Sequence, residues 1–184
     1  MNLTQLPDNL PEPIDDGAAD HLLGMTLPAV SLMATNDQTV EIHTLSGLVV
    51  FYVYPMTGRP GTPLPDGWAE IPGARGCTPQ SCSFRDHYAE LRTLNTQVFG
   101  ISTQTTAYQQ EAKTRLHLPF ELLSDATLTL KSTIQLPTFE VEGTALYKRI
   151  TLIVRDGTIC KVFYPVFPPN ENADAVLRWI KTHA

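Results

Sequence analysis

Cysteine is scarce in this chain: three residues among 184, an odd number that argues against a secreted disulfide framework. Charge is sparse too. Charged residues make up 17%, the formal net charge is -6, and the Lys and Arg residues are scattered. A nucleic-acid partner would need a clustered basic face, so none is expected. Long apolar runs are missing; the longest, near Leu48–Tyr54, has the length of a strand and not of a membrane span. No basic segment followed by an apolar one opens the chain at Met1-Asn2-Leu3-Thr4, so no secretory signal is read and a cytoplasmic location is expected. Neither a CxxC nor an HxxxH spacing occurs among the cysteines and five histidines, and no metal site is expected.

What is present is the composition of one globular domain, with 42% apolar residues. Residues 1–20, rich in Pro, Asp and Asn, read as an irregular arm; residues 21–184 read as a single domain. Val30–Leu32 and Val40–Ile42 alternate as short strands. Leu48–Tyr54 is apolar without alternation, the pattern of a central strand covered on both faces. The segment Pro55–Gly76 holds five prolines and five glycines. It is expected to be an irregular loop (56–76), long enough to suggest a functional role. A helix is predicted to start near Thr78-Pro79, with Thr78 as its cap and Phe84, Tyr88, Leu91 and Leu94 on one stripe. Val98–Ser102 and Phe120–Leu123 read as strands around a helix at Thr105–Leu116, and a further helix is placed in the stretch that follows. Asp156-Gly157 between Ile150–Val154 and Thr158–Phe163 signals a hairpin. An amphipathic helix at Asn172–Lys181 closes the chain. Strands alternating with helices and finishing in a hairpin and a helix predict an α/β thioredoxin-like fold, a mixed sheet with helices on both faces.

Cys77 follows the glycine-rich Pro72–Gly76 and stands at the predicted helix start. Unpaired N–H groups and the helix dipole there favour thiolate over thiol, and the thiolate is the nucleophile. Arg75 can add positive charge, and Gly76 leaves room for a second molecule to approach the sulfur. Cys82 lies five residues on in the same helix. That separation gives a rise of about 7.5 Å and Cα atoms roughly 8–9 Å apart, beyond the roughly 7 Å a disulfide tolerates. The two can pair only if the helix unwinds. Cys160, in an apolar strand, reads as packing; His87, Arg85 and Asp86 read as surface residues of the helix.

The run Gly76-Cys77-Thr78-Pro79-Gln80-Ser81-Cys82-Ser83-Phe84-Arg85-Asp86 resembles the active-site helix of the peroxiredoxins, in particular the bacterioferritin-comigratory or Q type. The likeness extends to Phe51–Pro55, Val98–Ser102, Leu118–Asp125 and Arg149–Val154. The resemblance implies a thiol peroxidase acting on hydrogen peroxide or organic hydroperoxides. In it Cys77 becomes a sulfenic acid, Cys82 resolves it as an intramolecular disulfide, and Arg149 stabilises the thiolate and orients the peroxide. It further implies a thioredoxin- or glutaredoxin-type reductant, a monomer or homodimer, and no metal or organic cofactor.

One departure stands out. The family's Pro-x-x-x-Thr-x-x-Cys puts a threonine hydroxyl at the peroxide, yet its ungapped positions here are Glu70 and Ala74. Pro55 stands 22 residues before Cys77 where the family's proline stands seven before, so about fifteen residues are inserted. Either the hydroxyl is lost, or Thr57 or Thr62 supplies it from the loop. Trp68, Pro63 and Pro65 in that loop can cover the pocket or form a partner surface. Two alternative functions follow on the same fold: a redox sensor with reduced peroxidase activity, favoured by the missing threonine, and a thiol–disulfide oxidoreductase, disfavoured by the CxxxxC spacing.

Overall fold

A computed structural model describes residues 6, 7 and 9–183; part of the N-terminal arm read above therefore lies outside the described residues. The strands are β1 (Ser31–Ala34), β2 (Thr39–Glu41), β3 (Leu48–Val53), β4 (Thr96–Ser102), β5 (Leu122–Ser124), β6 (Thr138–Val141), β7 (Thr144–Tyr147), β8 (Ile150–Arg155) and β9 (Thr158–Phe163). The helices are α1 (Cys77–Thr93), α2 (Thr106–Leu116), α3 (Thr129–Ile134) and α4 (Asn172–His183). Seven strands form one mixed sheet in the order β2-β1-β5-β4-β3-β8-β9. β3 pairs in parallel with β4 and antiparallel with β8. Its unbroken apolar run follows from that place, because all six of its residues are buried.

Side-chain alternation along β3 separates two cores. Val50 and Tyr52 pack with Tyr54 against Phe84 and Leu91 of α1, Leu116 of α2 and Val176, Leu177 and Ile180 of α4. Val49, Phe51 and Val53 face Leu130 and Ile134 of α3 and the N-terminal Leu22 and Leu27. Each fully buried apolar side chain of this size contributes about 1.5–3 kcal/mol. The thioredoxin-like α/β fold expected from the element order is the one adopted.

Several elements differ in detail from the sequence reading. The strand expected at Phe120–Leu123 begins only at Leu122, and Ile42 belongs to a short 3-10 turn and not to a strand. Thr78 does not cap α1. Cys77 is its first residue and Gly76 its cap, at φ 102°. The stretch after Asp125 holds the helix α3, but it also holds the antiparallel pair β6–β7 that sequence reading missed. Its turn, Glu142-Gly143, has φ values of 49° and 75°, the same left-handed pair seen at Asp156-Gly157, 47° and 79°. The buried Asp125 organises this region. Its carboxylate accepts the amides of Leu130 and Lys131 at 3.1 Å, closing the start of α3, and the hydroxyl of Tyr147 in β7.

Residues 56–76 form turns without regular secondary structure. They are nonetheless packed: Trp68 and Ala74 make a satellite core with Val141 and Leu146 of the missed hairpin, flanked by Met56, Leu64, Ile71 and Phe139. The ring of Trp68 lies 6.2 Å from that of Phe139.

Candidate active site

Cys77 is set at the end of β3 by one loop and one helix. The sulfur therefore sits at the N-terminus of the 17-residue α1, where the first amides lack internal partners and the dipole is positive. It is 2% exposed. Three groups surround it. The Arg149 guanidinium donates from Nη2 at 3.2 Å, the Met56 backbone N–H donates at 3.4 Å, and the thiol reaches the Ala74 carbonyl at 3.6 Å. Two of these contacts favour a thiolate; the third is one that only the thiol can make.

Arg149, 3% exposed, is held in place by a converging set of acceptors. Its Nη2 also faces the carbonyls of Gly73, Ala74 and Arg75 at 3.2, 3.3 and 3.0 Å, while Nη1 donates to Gln80 Oε1 at 2.5 Å. The Gln80 amide donates in turn to Asn172 Oδ1 at 2.9 Å, which accepts Thr151 Oγ1 at 2.7 Å. A single buried chain of hydrogen bonds thus links β8, α1 and α4 to the sulfur. A charged side chain in the interior is costly to leave unpaired; these bonds satisfy both terminal nitrogens, while Arg149 Nε has no hydrogen-bond partner among the described residues. Gln80, Asn172 and Thr151 were not singled out from sequence. The one available signal was Gln80, three residues after Cys77 on the same helical face.

Cys82 lies in the same helix as Cys77, and all three cysteines are free thiols. The start of α1 is deeply set: every residue from Cys77 to Ser81 is buried. Half-burial pushes the Cys82 thiol above its ordinary pKa, opposed in part by the nearby Arg85. Burial raises Cys160 likewise, and its thiol donates to the Ile153 carbonyl at 3.3 Å, consistent with a packing role. Arg85 pairs with Asp86 at 2.8 Å.

Neither loop threonine brings a hydroxyl to the sulfur. Thr57 is fully buried, but its hydroxyl donates to Gln104 Oε1 at 3.2 Å, and its amide to the same oxygen at 3.0 Å. Thr62 borders other surface hollows, away from Cys77. The donor that the loop does bring to the sulfur is the backbone N–H of Met56, at 3.4 Å, which has no side-chain signature. Gly76 also differs from expectation. A Cβ there would stand 2.3 Å from Pro169 Cγ, so the glycine serves close packing of the chain on itself at a positive φ.

The space above the sulfur is small. Met56, Gly58, Leu64, Trp68, Arg75, Gly76, Thr78 and Pro79 line it with Cys77, leaving about 20 Å³ open to a water-sized sphere. Among the described residues, no group of three or more His, Cys, Asp or Glu side chains is arranged to hold a metal. No helix among them is long and apolar enough to cross a membrane.

Comparison with known proteins points to one family. The Redoxin family profile matches residues 22–177. The chloroplastic peroxiredoxin Q of Suaeda salsa is 26% identical over 160 residues, which cover 86% of this chain and 67% of that protein. The chain spans about two thirds of the length of that relative and of a peroxiredoxin Q from Oryza sativa. The crystal structure of peroxidoxin BcpB from Mycobacterium tuberculosis superposes with a TM-score of 0.71 at 23% identity, covering 88% of this chain and 97% of that one. A mutant of PrxQ from Xylella fastidiosa gives 0.70 at 19% identity, covering 88% and 96%.

Proposed function

The chain belongs to the redoxin family, with Q-type peroxiredoxins as its relatives there, and from that premise we propose that it is a thiol-dependent peroxidase with Cys77 as its nucleophile. The observation that carries this reading is the buried Cys77 sulfur at the start of α1, faced by Arg149 Nη2 at 3.2 Å and the Met56 amide at 3.4 Å. Cys77 as thiolate attacks one oxygen of the peroxide. The S–O bond forms as the O–O bond breaks, the leaving oxygen takes up a proton, and the sulfur is oxidised to a sulfenic acid. Arg149 and the Met56 N–H hold negative charge at the sulfur and then on the leaving oxygen, the part a threonine hydroxyl would otherwise share. The Gln80–Asn172–Thr151 chain keeps the guanidinium in that orientation.

Cys82 is the resolving thiol. It displaces water from the sulfenic acid to form the Cys77–Cys82 disulfide, which a thioredoxin- or glutaredoxin-type dithiol reopens by exchange. Because α1 holds the two Cα atoms roughly 8–9 Å apart, this step requires the first turns of α1 to unwind. A raised Cys82 pKa in the closed form suits a thiol that stays protonated until the helix opens. An odd count of three cysteines suits a reducing compartment such as the cytoplasm.

Rapid mixing of the reduced protein with hydrogen peroxide tests the assignment. Cys77 should be oxidised far faster than free cysteine, Cys77→Ser should abolish turnover, and Cys82→Ser should leave the first oxidation intact while removing the disulfide. Peroxide turnover surviving in Cys77→Ser would refute the nucleophile. The redox-sensor reading rests on the absence of a hydroxyl at Cys77; it predicts an oxidation no faster than that of free cysteine.

A further inference from the structure

The inserted loop leaves and rejoins the fold at the sulfur itself. Its first residue, Met56, donates its amide to Cys77, and Ala74 near its end accepts the thiol. Between these points the chain folds back so that Leu64 and Trp68 border the cavity over Cys77. Trp68 is 4% exposed and is fixed in the satellite core against Val141, Leu146 and Phe139. We infer that Trp68, with Leu64, is the specificity-determining element of the site, admitting hydrogen peroxide and excluding bulky organic hydroperoxides. The inference rests on the peroxidase reading of Cys77.

The argument is one of volume. About 20 Å³ is open above the thiol, enough for one water-sized group, whereas a cavity that takes up benzene measures about 150 Å³. One end of hydrogen peroxide fits the open space. The aryl group of cumene hydroperoxide does not, unless the indole moves. Moving it is opposed, because Trp68 is packed on two sides by apolar residues of β6–β7 and of the loop itself, and an overpacked site costs about 1–3 kcal/mol. Removing the indole opens space beside the sulfur, and because it also loosens the loop that carries Met56, the informative quantity is the ratio of the two peroxide rates.

The test measures single-turnover oxidation of Cys77 in a Cys82→Ser background, with hydrogen peroxide and cumene hydroperoxide as the two probes. The parent should react at least about tenfold faster with hydrogen peroxide, the scale of discrimination a shaped pocket gives. Trp68→Ala should raise the ratio of the cumene hydroperoxide rate to the hydrogen peroxide rate about tenfold or more, whatever both rates lose together. Leu64→Ala, a smaller truncation of the same wall, should move the ratio in the same direction and guards against misfolding of the tryptophan variant. Equal rates in the parent, or a ratio that neither variant changes, would overturn the inference while leaving a fast peroxidatic Cys77 standing. Oxidation by both probes no faster than for free cysteine would overturn the peroxidase reading and this inference with it.

Discussion

Replacing Ser81 by Ala should speed formation of the Cys77–Cys82 disulfide without changing the first oxidation. Ser81 is fully buried in the second turn of α1, and its hydroxyl accepts the Tyr52 O–H at 3.2 Å. Tyr52 is itself inaccessible on β3, with its ring stacked 4.6 Å from that of Phe84. Burial holds the Tyr52 phenol far above its ordinary pKa, so it cannot answer the loss by ionising. In the closed helix, Ser81→Ala therefore leaves a buried O–H without its acceptor, at a cost of about 1–3 kcal/mol. The bond is long, which favours the lower half of that range, about 1.5 kcal/mol. Alanine's better helix propensity offsets roughly 0.5 kcal/mol. In the unwound form, water reaches the phenol and the penalty vanishes. The closed form is thus weakened by a net of about 1 kcal/mol, and the opening equilibrium shifts about fivefold. Reduced protein is mixed with one equivalent of hydrogen peroxide, quenched at intervals by alkylation, and sulfenic acid and disulfide are counted by intact mass. The sulfenic acid should form at the parent rate and disappear about fivefold faster. An unchanged or slower second step, with the first step unaffected, would refute the claim that opening of these turns controls resolution.

Gly76→Ala should cripple the protein as a fold: the position combines φ 102° with a Cβ contact of 2.3 Å to Pro169. A loss of about 2 kcal/mol or more in urea unfolding is expected, against parent-like stability if the contact is easily relieved. The N-terminal arm gives a pH prediction. The Asp16 carboxylate, bonded to Lys148 and to the Tyr164 hydroxyl, is held well below the usual carboxylate range. A depressed folded-state pKa contributes stability above the unfolded value of about 3.9, and that contribution is lost as pH falls through the lower folded value. Asp16→Asn should therefore reduce protection of the arm from limited proteolysis at neutral pH, and the difference from the parent should shrink in strong acid; a difference that grows on acidification would contradict the sign.

How much of this was legible beforehand depended on whether the signal was local. β3, the stripe of α1 and the Asp156-Gly157 hairpin announce themselves through periodicity and turn chemistry, and the structure carries all three. Glu142-Gly143 builds the same kind of turn, but glutamate lacks the short side chain that makes Asn-Gly or Asp-Gly recognisable, so β6–β7 went unread. Gln80 and Asn172 meet across 92 residues of sequence, and no short-range pattern encodes such a pairing. Arg149 came from resemblance; nothing in its own neighbourhood distinguishes it from any strand arginine.

The missing threonine has the most instructive cause. Both gapped candidates assumed that a side chain must replace a side chain. Instead, the chain after Pro55 brings the Met56 amide to the sulfur, and the very next residue, Thr57, turns its hydroxyl to Gln104. A backbone donor needs no particular residue type, so substitution at 56 is constrained only by backbone path and packing. The insertion and the unread hairpin then explain each other. An irregular loop of this length could not hold a donor at 3.4 Å from a buried sulfur by itself. Trp68, seated on Val141, Leu146 and Phe139, anchors the loop's middle to β6–β7 while Met56 and Ala74 anchor its ends at Cys77. Destabilising the hairpin should consequently be felt at the thiol: Leu146→Ala, in β7 and far from Cys77 in sequence but sharing the loop's satellite core, should cost about 2–5 kcal/mol of local packing. It should slow oxidation of Cys77 by loosening the Met56 donor, read as a lower single-turnover rate with hydrogen peroxide. A parent-like rate in a folded Leu146→Ala protein would show that the loop holds its geometry without the hairpin, and would break the link between the two.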